Sequence, residues 1–361
     1  MAGAPWGGSE ELWSQAALLM RRQGFTVGVS VIRWPEVPEP IKALAEAGCV
    51  VERRDLWPRW YFRALHAVAN TGGQRGDRKW LKNFAPDLAV ISQGENSAGL
   101  SWMTICQELE IPYCVLSHNA NYSLWPNEGT LALLRDAYLR ARRSLFVSEE
   151  MKRITCMQIG AELTNASIVR NPIRVSRYAP PVFPSHPPFV LACVGRLDVA
   201  QKGQDLLFEA LSQEKWRTRP LKVEMFGSGP HEKGLQRLKD YLNLDMVEFR
   251  GFVDDPNDVW ARAHGLVLPS RFEGFPIVLV EAMMCNRMAI VTDIADNRAV
   301  VEEGVTGFVA HAPTSRMIDE ALERAWATRL SWADMGIAAG RRIREIVPED
   351  PVGSFVRELT R

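Results

Sequence analysis

The stretch "FVLACVGRLDVAQKG" at residues 189–203 joins an apolar run to a glycine-bearing turn and then to a helical pattern. The apolar run shows no polar alternation, as expected for a strand that is buried on both faces of a sheet. Four later strand-like runs alternate with helical patterns, at 221–229, 247–253, 265–270 and 288–293, before a shorter run at 307–310. This order predicts a doubly wound α/β domain with a parallel sheet covered by helices on both sides.

The first half of the chain repeats the same alternation. Its apolar runs lie at 25–32, 86–92, 112–117, 143–148 and 166–172, with helical patterns at 9–23 and 98–110 between them. The segment "RYAPPVFPSHPPFV" (177–190) then holds five prolines, which neither continue a helix nor sit in a central strand. We therefore expect a first Rossmann-like domain at 1–176, a proline-rich linker at 177–188 and a second domain at 189–346.

Composition narrows the class of protein. The chain has 361 residues, is 47% hydrophobic and has a formal net charge of zero, so its overall charge gives no case for nucleic acid as a partner. The six cysteines are scattered without the spacing of a metal site, which suits reduced thiols. No apolar stretch approaches the roughly 20 residues of a membrane span, and no signal-peptide pattern opens the chain. We expect a cytoplasmic protein.

Polar residues cluster just past the predicted strands of the second domain, where open α/β sheets bind ligands. They are Gly195, Arg196 and Lys202 after the first strand, Gly227 and Gly229 after the second, Phe252 after the third, and Glu273, Gly274, Phe275, Pro276 and Ile277 after the fourth. A helix that begins at Pro276 would turn free N–H groups and its dipole towards an anion. With two cations close by, a pyrophosphate is the simplest ligand.

The apolar run "FEGFPIVLVEAM" (272–283) carries a carboxylate near each end, Glu273 and Glu281. Buried carboxylates cost several kcal/mol unless they are paired, protonated or hydrogen-bonded. Sugar hydroxyls at Glu273 and a ribose at Glu281 would supply partners. The alternative is a helix N-terminal charge and a surface residue.

Taken together, these segments resemble the retaining nucleotide-sugar-dependent glycosyltransferases of family 4, which have the two-domain GT-B fold. The matching pieces are "PWGGSEELW" (5–13), "SHN" (117–119), "VGRLDVAQKGQDLLFEAL" (194–211), "FGSGP" (226–230), "FRGFV" (249–253) and "SRFEGFPIVLVEAM" (270–283). The resemblance implies two Rossmann-like domains facing a central cleft, with the acceptor in the first and the nucleotide sugar in the second. It also implies that a last helix within 347–361 crosses back to the first domain.

The resemblance further implies a role for each matching residue. Arg196 and Lys202 would bind the diphosphate in place of a metal ion. Glu273, with the backbone of Gly274 and Phe275, would hold the donor hexose, and Glu281 the ribose. Gly7 and Gly8 would form the glycine loop that faces the donor phosphate and acceptor, and His118 would lie against the transferred sugar.

The expected function is retaining transfer of a hexose from a UDP-, GDP- or ADP-sugar to a polysaccharide or lipid-linked acceptor, without cofactor or metal. Simpler interpretations stay open for three features: a structural salt bridge for Arg196 with Asp198, a hydrogen-bonded histidine for His118, and a helix-entry turn for Gly7 and Gly8. A nicotinamide dehydrogenase is the weaker alternative, because no G-x-G-x-x-G loop follows a strand.

One departure concerns the start of the first domain. In the family a central strand precedes the glycine loop, whereas this sequence begins "MAGAPWGG". We therefore expect a truncated first domain with a gapped, destabilised sheet. This makes a truncated, non-catalytic nucleotide-sugar-binding protein the main alternative function.

Residues 53–82 hold eight Lys/Arg and two Asp, interleaved with aromatic side chains. Cations beside aromatics favour peripheral contact with an anionic membrane or a lipid-linked acceptor. A basic helical face with its aromatics in the core explains the same pattern equally well.

Overall fold

The computed structural model describes residues 6–55, 70–123 and 125–361. The chain forms two compact units. Unit 1 runs to Pro172 and also contains Asp350–Arg361, whereas unit 2 is Ile173–Glu349. Within the described ranges, no helix has both the length and the apolar character needed to cross a bilayer.

Unit 1 alternates helices and strands. In chain order its elements are α1 (Gly8–Arg22), β1 (Gly28–Ile32), α2 (Glu39–Glu46), β2 (Val50–Arg54), α3 (Asn70–Phe84), β3 (Ala89–Glu95), α4 (Leu100–Glu108), β4 (Tyr113–Asn119), α5 (Glu128–Arg140), β5 (Arg143–Phe146), α6 (Glu149–Ile159) and β6 (Ala166–Ile168). Local sequence sets several ends. Ser148 caps α6 by accepting a hydrogen bond from Met151 N, and Gly160 ends it at a φ of 60°.

The strands of unit 1 form two parallel sheets, one of β1 and β2 and one in the order β3-β4-β5-β6. In the part of unit 1 that is described, no strand is hydrogen-bonded to both sheets. Helix α1 instead packs on both, with Leu12 and Ala16 in the core beside β4 and β5, and Ala17 in the core beside β1. The sheets are therefore joined by helix packing.

The last helix of the chain, α16 (Pro351–Thr360), belongs to unit 1. Asp350 caps it by accepting from Gly353 N, and Pro351 takes the first helical position. Its apolar side packs on α1 through Phe355, Val356 and Leu359.

Unit 2 has a single sheet. Its elements are β7 (Phe189–Val194), α7 (Val199–Lys202), α8 (Gln204–Leu211), α9 (Glu214–Arg217), β8 (Leu221–Phe226), α10 (Glu232–Tyr241), β9 (Val247–Gly251), α11 (Pro256–Trp260), β10 (Gly265–Leu268), α12 (Ile277–Met284), β11 (Met288–Thr292), α13 (Asn297–Val300), β12 (Gly307–Ala310), α14 (Ser315–Ala327) and α15 (Trp332–Ile346). The six strands are parallel, in the order β12-β11-β10-β7-β8-β9. Every residue of β10 and β11 is buried, which explains their unbroken apolar sequences.

The strand order reverses between β7 and β10, its topological switch point. The loops that follow these two strands lie at the carboxyl edge of the sheet, where doubly wound folds bind ligands. Unit 2 therefore places residues 195–203 beside residues 269–276.

The unit boundaries differ from the expected ones. The proline-rich segment 177–188 belongs to unit 2, where hydrogen bonds from two arginines hold it. Arg287, 1% exposed, donates to the carbonyl oxygen of Val182 at 2.9 Å. Arg177 donates to the carbonyl oxygen of Val347 at 3.0 Å. The segment is thus bound along unit 2.

Candidate donor-sugar site

The switch point of unit 2 brings together two residues that lie 71 positions apart, Lys202 and Glu273. Lys202 follows β7 at the end of α7, and Glu273 follows β10. The Lys202 ammonium donates to Glu273 Oε1 at 2.6 Å. The side chains are only 17% and 6% exposed, so this pair lies largely out of water. A buried pair of this kind needs further hydrogen bonds to offset its desolvation.

Glu273 receives a second hydrogen bond on the same oxygen. Ser270 Oγ donates to Oε1 at 2.7 Å, and Ser270 is fully buried. In the described part of the chain, Glu273 Oε2 accepts no hydrogen bond. A carboxylate has about four acceptor positions, so Oε2 remains able to accept from ligand hydroxyl groups.

Arg196 lies in the same loop as Lys202. Its Nη2 donates to Asp198 Oδ2 at 2.9 Å, and its side chain is 41% exposed. The salt bridge proposed as the simpler interpretation is therefore present. The guanidinium brings a positive charge to the loop after β7 and is 41% exposed, so it can be reached from solvent.

The glycines of the two strand-end loops serve close backbone packing. Gly195 and Gly227 have φ angles of 154° and 127°. A Cβ on Gly227 would lie 2.1 Å from the carbonyl oxygen of Gly195, and one on Gly229 would lie 2.5 Å from that of Leu197. These positions admit only glycine because the loop after β8 rests directly on the loop after β7.

The turn from Glu273 to Ile277 leads into α12. The helix begins at Ile277, one residue later than expected, because Pro276 has an extended ψ of 112° and occupies the N-cap position. Phe275 is 6% exposed and anchors the turn. The first N–H groups of α12 point out of its N-terminal end beside Gly274.

Glu281 lies in the fifth position of α12 and is 7% exposed. Its one hydrogen bond within the described ranges comes from Arg174 N, which donates to Oε1 at 3.3 Å. Burial raises the pKa of this carboxyl to about 7. Without a ligand, Glu281 is thus a poorly compensated carboxylate, unlike the paired Glu273.

Phe252 follows β9 and is 68% exposed. An aromatic ring this open at the carboxyl edge of the sheet is available for stacking.

His118, in unit 1, lies in β4 and is 8% exposed. Its Nε2 is 3.3 Å from Ser92 Oγ, whereas Nδ1 is buried with no hydrogen-bond partner among the described residues. Burial lowers the pKa of the imidazole to about 4, so the ring is neutral at physiological pH. The simpler interpretation, a hydrogen-bonded histidine, covers only one of its nitrogens.

Gly7 and Gly8 begin α1, with Gly7 at the N-cap in an extended conformation. Beside them is a residue that the sequence did not single out, Glu10, which is 7% exposed and 3.3 Å from a Cβ placed on Gly7. Burial raises the pKa of its carboxyl. Ser9 donates to Glu10 Oε2 at 2.7 Å instead of capping the helix.

Residues 56–69 of the basic and aromatic segment 53–82 lie outside the described residues, and they include Trp57, Trp60, Tyr61 and Phe62. Of its described side chains, Trp80 stacks on Phe84 with ring centroids 5.5 Å apart, and Arg54 lies 4.7 Å from the centre of the Trp102 ring. Trp80 therefore packs on a neighbouring aromatic ring and is half-buried, whereas the two interpretations of the segment as a whole stay open.

Two further residues at the edge of the sheet were also missed. Ser270 stands three positions before Glu273, and Thr292 ends β11. Nothing in their local sequence marks them, because serine and threonine near strand ends are common turn residues. No cluster of three or more His, Cys, Asp or Glu side chains suited to a metal lies within the ranges described.

Comparison with known proteins gives a consistent result for both units. The family model described as "Glycosyltransferase Family 4" matches residues 6–177, and that described as "Glycosyl transferases group 1" matches residues 188–328. A GDP-mannose-dependent monoacylated alpha-(1-6)-phosphatidylinositol monomannoside mannosyltransferase of Corynebacterium glutamicum is 25% identical over 88% of this chain and 79% of its own. Alpha-D-kanosaminyltransferase of Streptomyces kanamyceticus is 31% identical, but the match spans 37% of this chain and only 36% of that relative.

Solved structures show the same fold. Anabaena HepE, in complex with UDP and glucose, has a TM-score of 0.77 at 17% identity, covering 100% of this chain and 97% of its own. The lipopolysaccharide outer core galactosyltransferase WaaB has a TM-score of 0.73 at 19% identity, covering 99% and 97%. The expected GT-B fold of two Rossmann-like domains is thereby confirmed. The chain belongs to the group 1 glycosyltransferases of family 4.

Proposed function

We propose that this glycosyltransferase moves a hexose, with retention of its anomeric configuration, from a UDP-, GDP- or ADP-sugar to a polysaccharide or lipid-linked acceptor. The observation that carries the proposal is the buried Lys202–Glu273 pair at the switch point of unit 2. It sets a cation beside a carboxylate that has a free oxygen, which suits a ligand with both a phosphate and hydroxyl groups. HepE, which holds UDP and glucose, has the same fold.

In the proposed complex, the Lys202 ammonium bridges the Glu273 carboxylate and the diphosphate of the donor. It has three N–H bonds, of which one reaches Glu273 and the others are available to diphosphate oxygens. Arg196 and the N-terminal end of α12 supply further positive potential. Glu273 Oε2 accepts from the hexose hydroxyls, and Glu281 accepts from the ribose.

Catalysis in this proposal rests on stabilising the leaving group. Negative charge grows on the diphosphate as the glycosidic bond breaks, and cations already in place there need no reorganisation. The acceptor hydroxyl then attacks the anomeric carbon on the face that the diphosphate has left, and its proton passes to the departing diphosphate oxygen. Attack on this face retains the configuration. His118 in unit 1, neutral at physiological pH, is assigned contact with the transferred sugar. Gly7 and Gly8 are assigned contact with the donor phosphate.

A thermal-shift screen with UDP-glucose, GDP-mannose and ADP-glucose tests donor binding. Ligand at about 100 times its dissociation constant stabilises the folded state by about 2.7 kcal/mol. We expect the melting temperature of the wild type to rise with the nucleotide sugar of one base. This rise should be lost in Glu281→Ala and in Arg196→Ala. It should persist in Arg316→Ala, which changes an arginine that is 81% exposed on α14. A shift that survives in both site variants would contradict the assignment.

A non-catalytic nucleotide-sugar-binding protein is the second candidate, favoured by the separate sheets of unit 1. It predicts donor binding without turnover. We also propose peripheral membrane contact through residues 53–82. Flotation with anionic liposomes tests it, and absence of binding would exclude it.

A further inference from the structure

We propose that Ser270 is a positioning residue that orients Glu273 towards the donor hexose, and that Thr292 holds Ser270 in place. The proposal rests on the proposed function, because it gives Glu273 its ligand. It assigns a role to two residues that touch no ligand themselves.

The first step is the convergence of two donors on one carboxylate oxygen. Ser270 Oγ and Lys202 Nζ lie 2.7 and 2.6 Å from Glu273 Oε1. Together they fix the plane of the carboxylate and direct Oε2 away from both donors. A carboxylate held by one flexible lysine alone would be free to rotate, because the ammonium follows it on a four-carbon stem.

The second step concerns what happens when a diphosphate binds. Lys202 then shares its N–H groups between Glu273 and the phosphate oxygens, so its hold on the carboxylate weakens. Ser270 is fully buried and has no access to the phosphate, which leaves its hydrogen bond unchanged. Ser270 is thus the donor that keeps Glu273 in place in both states.

The third step places Thr292 behind Ser270. The Thr292 hydroxyl donates to the carbonyl oxygen of Ser270 at 2.6 Å, and Thr292 is also fully buried. Asn297 Nδ2 in turn donates to the carbonyl oxygen of Thr292 at 3.1 Å. These bonds tie the loop after β11 to the loop after β10 and fix the backbone from which Ser270 reaches Glu273.

The test compares a nucleotide sugar with its own nucleoside diphosphate, because Glu273 contacts only the sugar. Calorimetric titrations use the pairs UDP-glucose and UDP, GDP-mannose and GDP, and ADP-glucose and ADP. We expect Ser270→Ala to weaken binding of the nucleotide sugar about tenfold while leaving the diphosphate unchanged. A residue with a merely structural role would weaken both equally.

Thr292 offers a matched set of variants. Thr292→Val keeps the shape but loses the hydroxyl, and we expect the nucleotide sugar to bind roughly threefold more weakly. Thr292→Ser keeps the hydroxyl and should restore wild-type binding. Ser144→Ala is the control, since Ser144 is equally buried but lies in unit 1 and should leave both affinities unchanged.

Equal affinities for the nucleotide sugar in the wild type, Ser270→Ala and Thr292→Val would overturn the proposal. The proposal would also be overturned if either variant bound the nucleotide sugar and the nucleoside diphosphate more weakly by the same factor. Failure of every pair to bind the wild type would instead overturn the proposed function, and with it the role of Ser270. The two failures are therefore distinguishable.

Discussion

Replacing Glu281 by glutamine should change how stability depends on pH. The carboxyl is 7% exposed, and burial raises its pKa from 4.5 to about 7. In the unfolded chain the group ionises near pH 4.5, but in the folded chain it holds its proton until about pH 7. The folded state binds more protons between these values, so the wild type loses stability as pH rises from about 4.5 to 7.

The size of this loss of stability follows from the shift in the pKa of Glu281. One pKa unit corresponds to about 1.4 kcal/mol, so ionising the buried carboxyl costs about 3 kcal/mol at pH 8. Glutamine has the same shape and no charge at any pH, so Glu281→Gln does not lose this stability as the pH rises. For a unit of this size, 1 kcal/mol moves the melting temperature by about 2–4 °C. We expect unit 2 of the variant to melt roughly 6–12 °C above the wild type at pH 8, with little difference at pH 4.5.

Scanning calorimetry of the full chain between pH 4.5 and 8 measures this difference. The control is Glu320→Gln on α14, where the side chain is 47% exposed. Its melting temperature should follow the wild type throughout. A difference between Glu281→Gln and the wild type that stays constant from pH 4.5 to 8 would refute the account of Glu281.

Other outcomes follow from the same structure. If a ribose hydroxyl donates to the Glu281 carboxylate, donor binding near pH 7 should release a proton, so that calorimetric heats depend on the buffer in the wild type but not in Glu281→Gln. His118 titrates at about 4, so transfer rates of wild type and His118→Gln should keep a constant ratio between pH 6 and 8; a ratio that changes there would count against a neutral imidazole. Amide protons of the two-stranded β1–β2 sheet should exchange with solvent faster than those of the central strand β10, because so small a sheet is marginally stable; equal protection would show that unit 1 is not destabilised.

Strands β10 and β11 of unit 2 could be predicted from sequence because both are buried on both faces. The apolar runs at 265–270 and 288–293 contain β10 and β11, in which every residue is buried. Strand β2, "VVERR", was missed because it lies in a two-stranded sheet and alternates exposed with half-buried residues. Strand β2 is not buried on both faces, so its sequence does not show the unbroken apolar run by which a strand can be predicted.

The candidate site could be predicted as a set of residues but not as a set of contacts. Strand ends and residue types identified Lys202 and Glu273. Their bond depends on the order β7-β10 in the sheet, which no local pattern encodes. The roles of Gly227 and Gly229 depend likewise on the neighbouring backbone that packs on them.

The position of the proline-rich segment shows the same limit. Prolines predicted a break in secondary structure, and the break is present. Whether such a segment is free or bound depends on distant groups, here the buried Arg287. The sequence predicts where regular structure stops, whereas contacts made far along the chain decide where the segment lies.

The most direct test of the central claim is to follow the donor by ³¹P NMR with wild-type protein and Lys202→Ala. We predict that the wild type converts the nucleotide sugar that it binds into the nucleoside diphosphate. Loss of the Lys202 cation should slow this conversion by at least about a hundredfold. A donor that binds the wild type but stays intact, with or without acceptor sugars and lipids, would contradict the account and favour a non-catalytic binding protein.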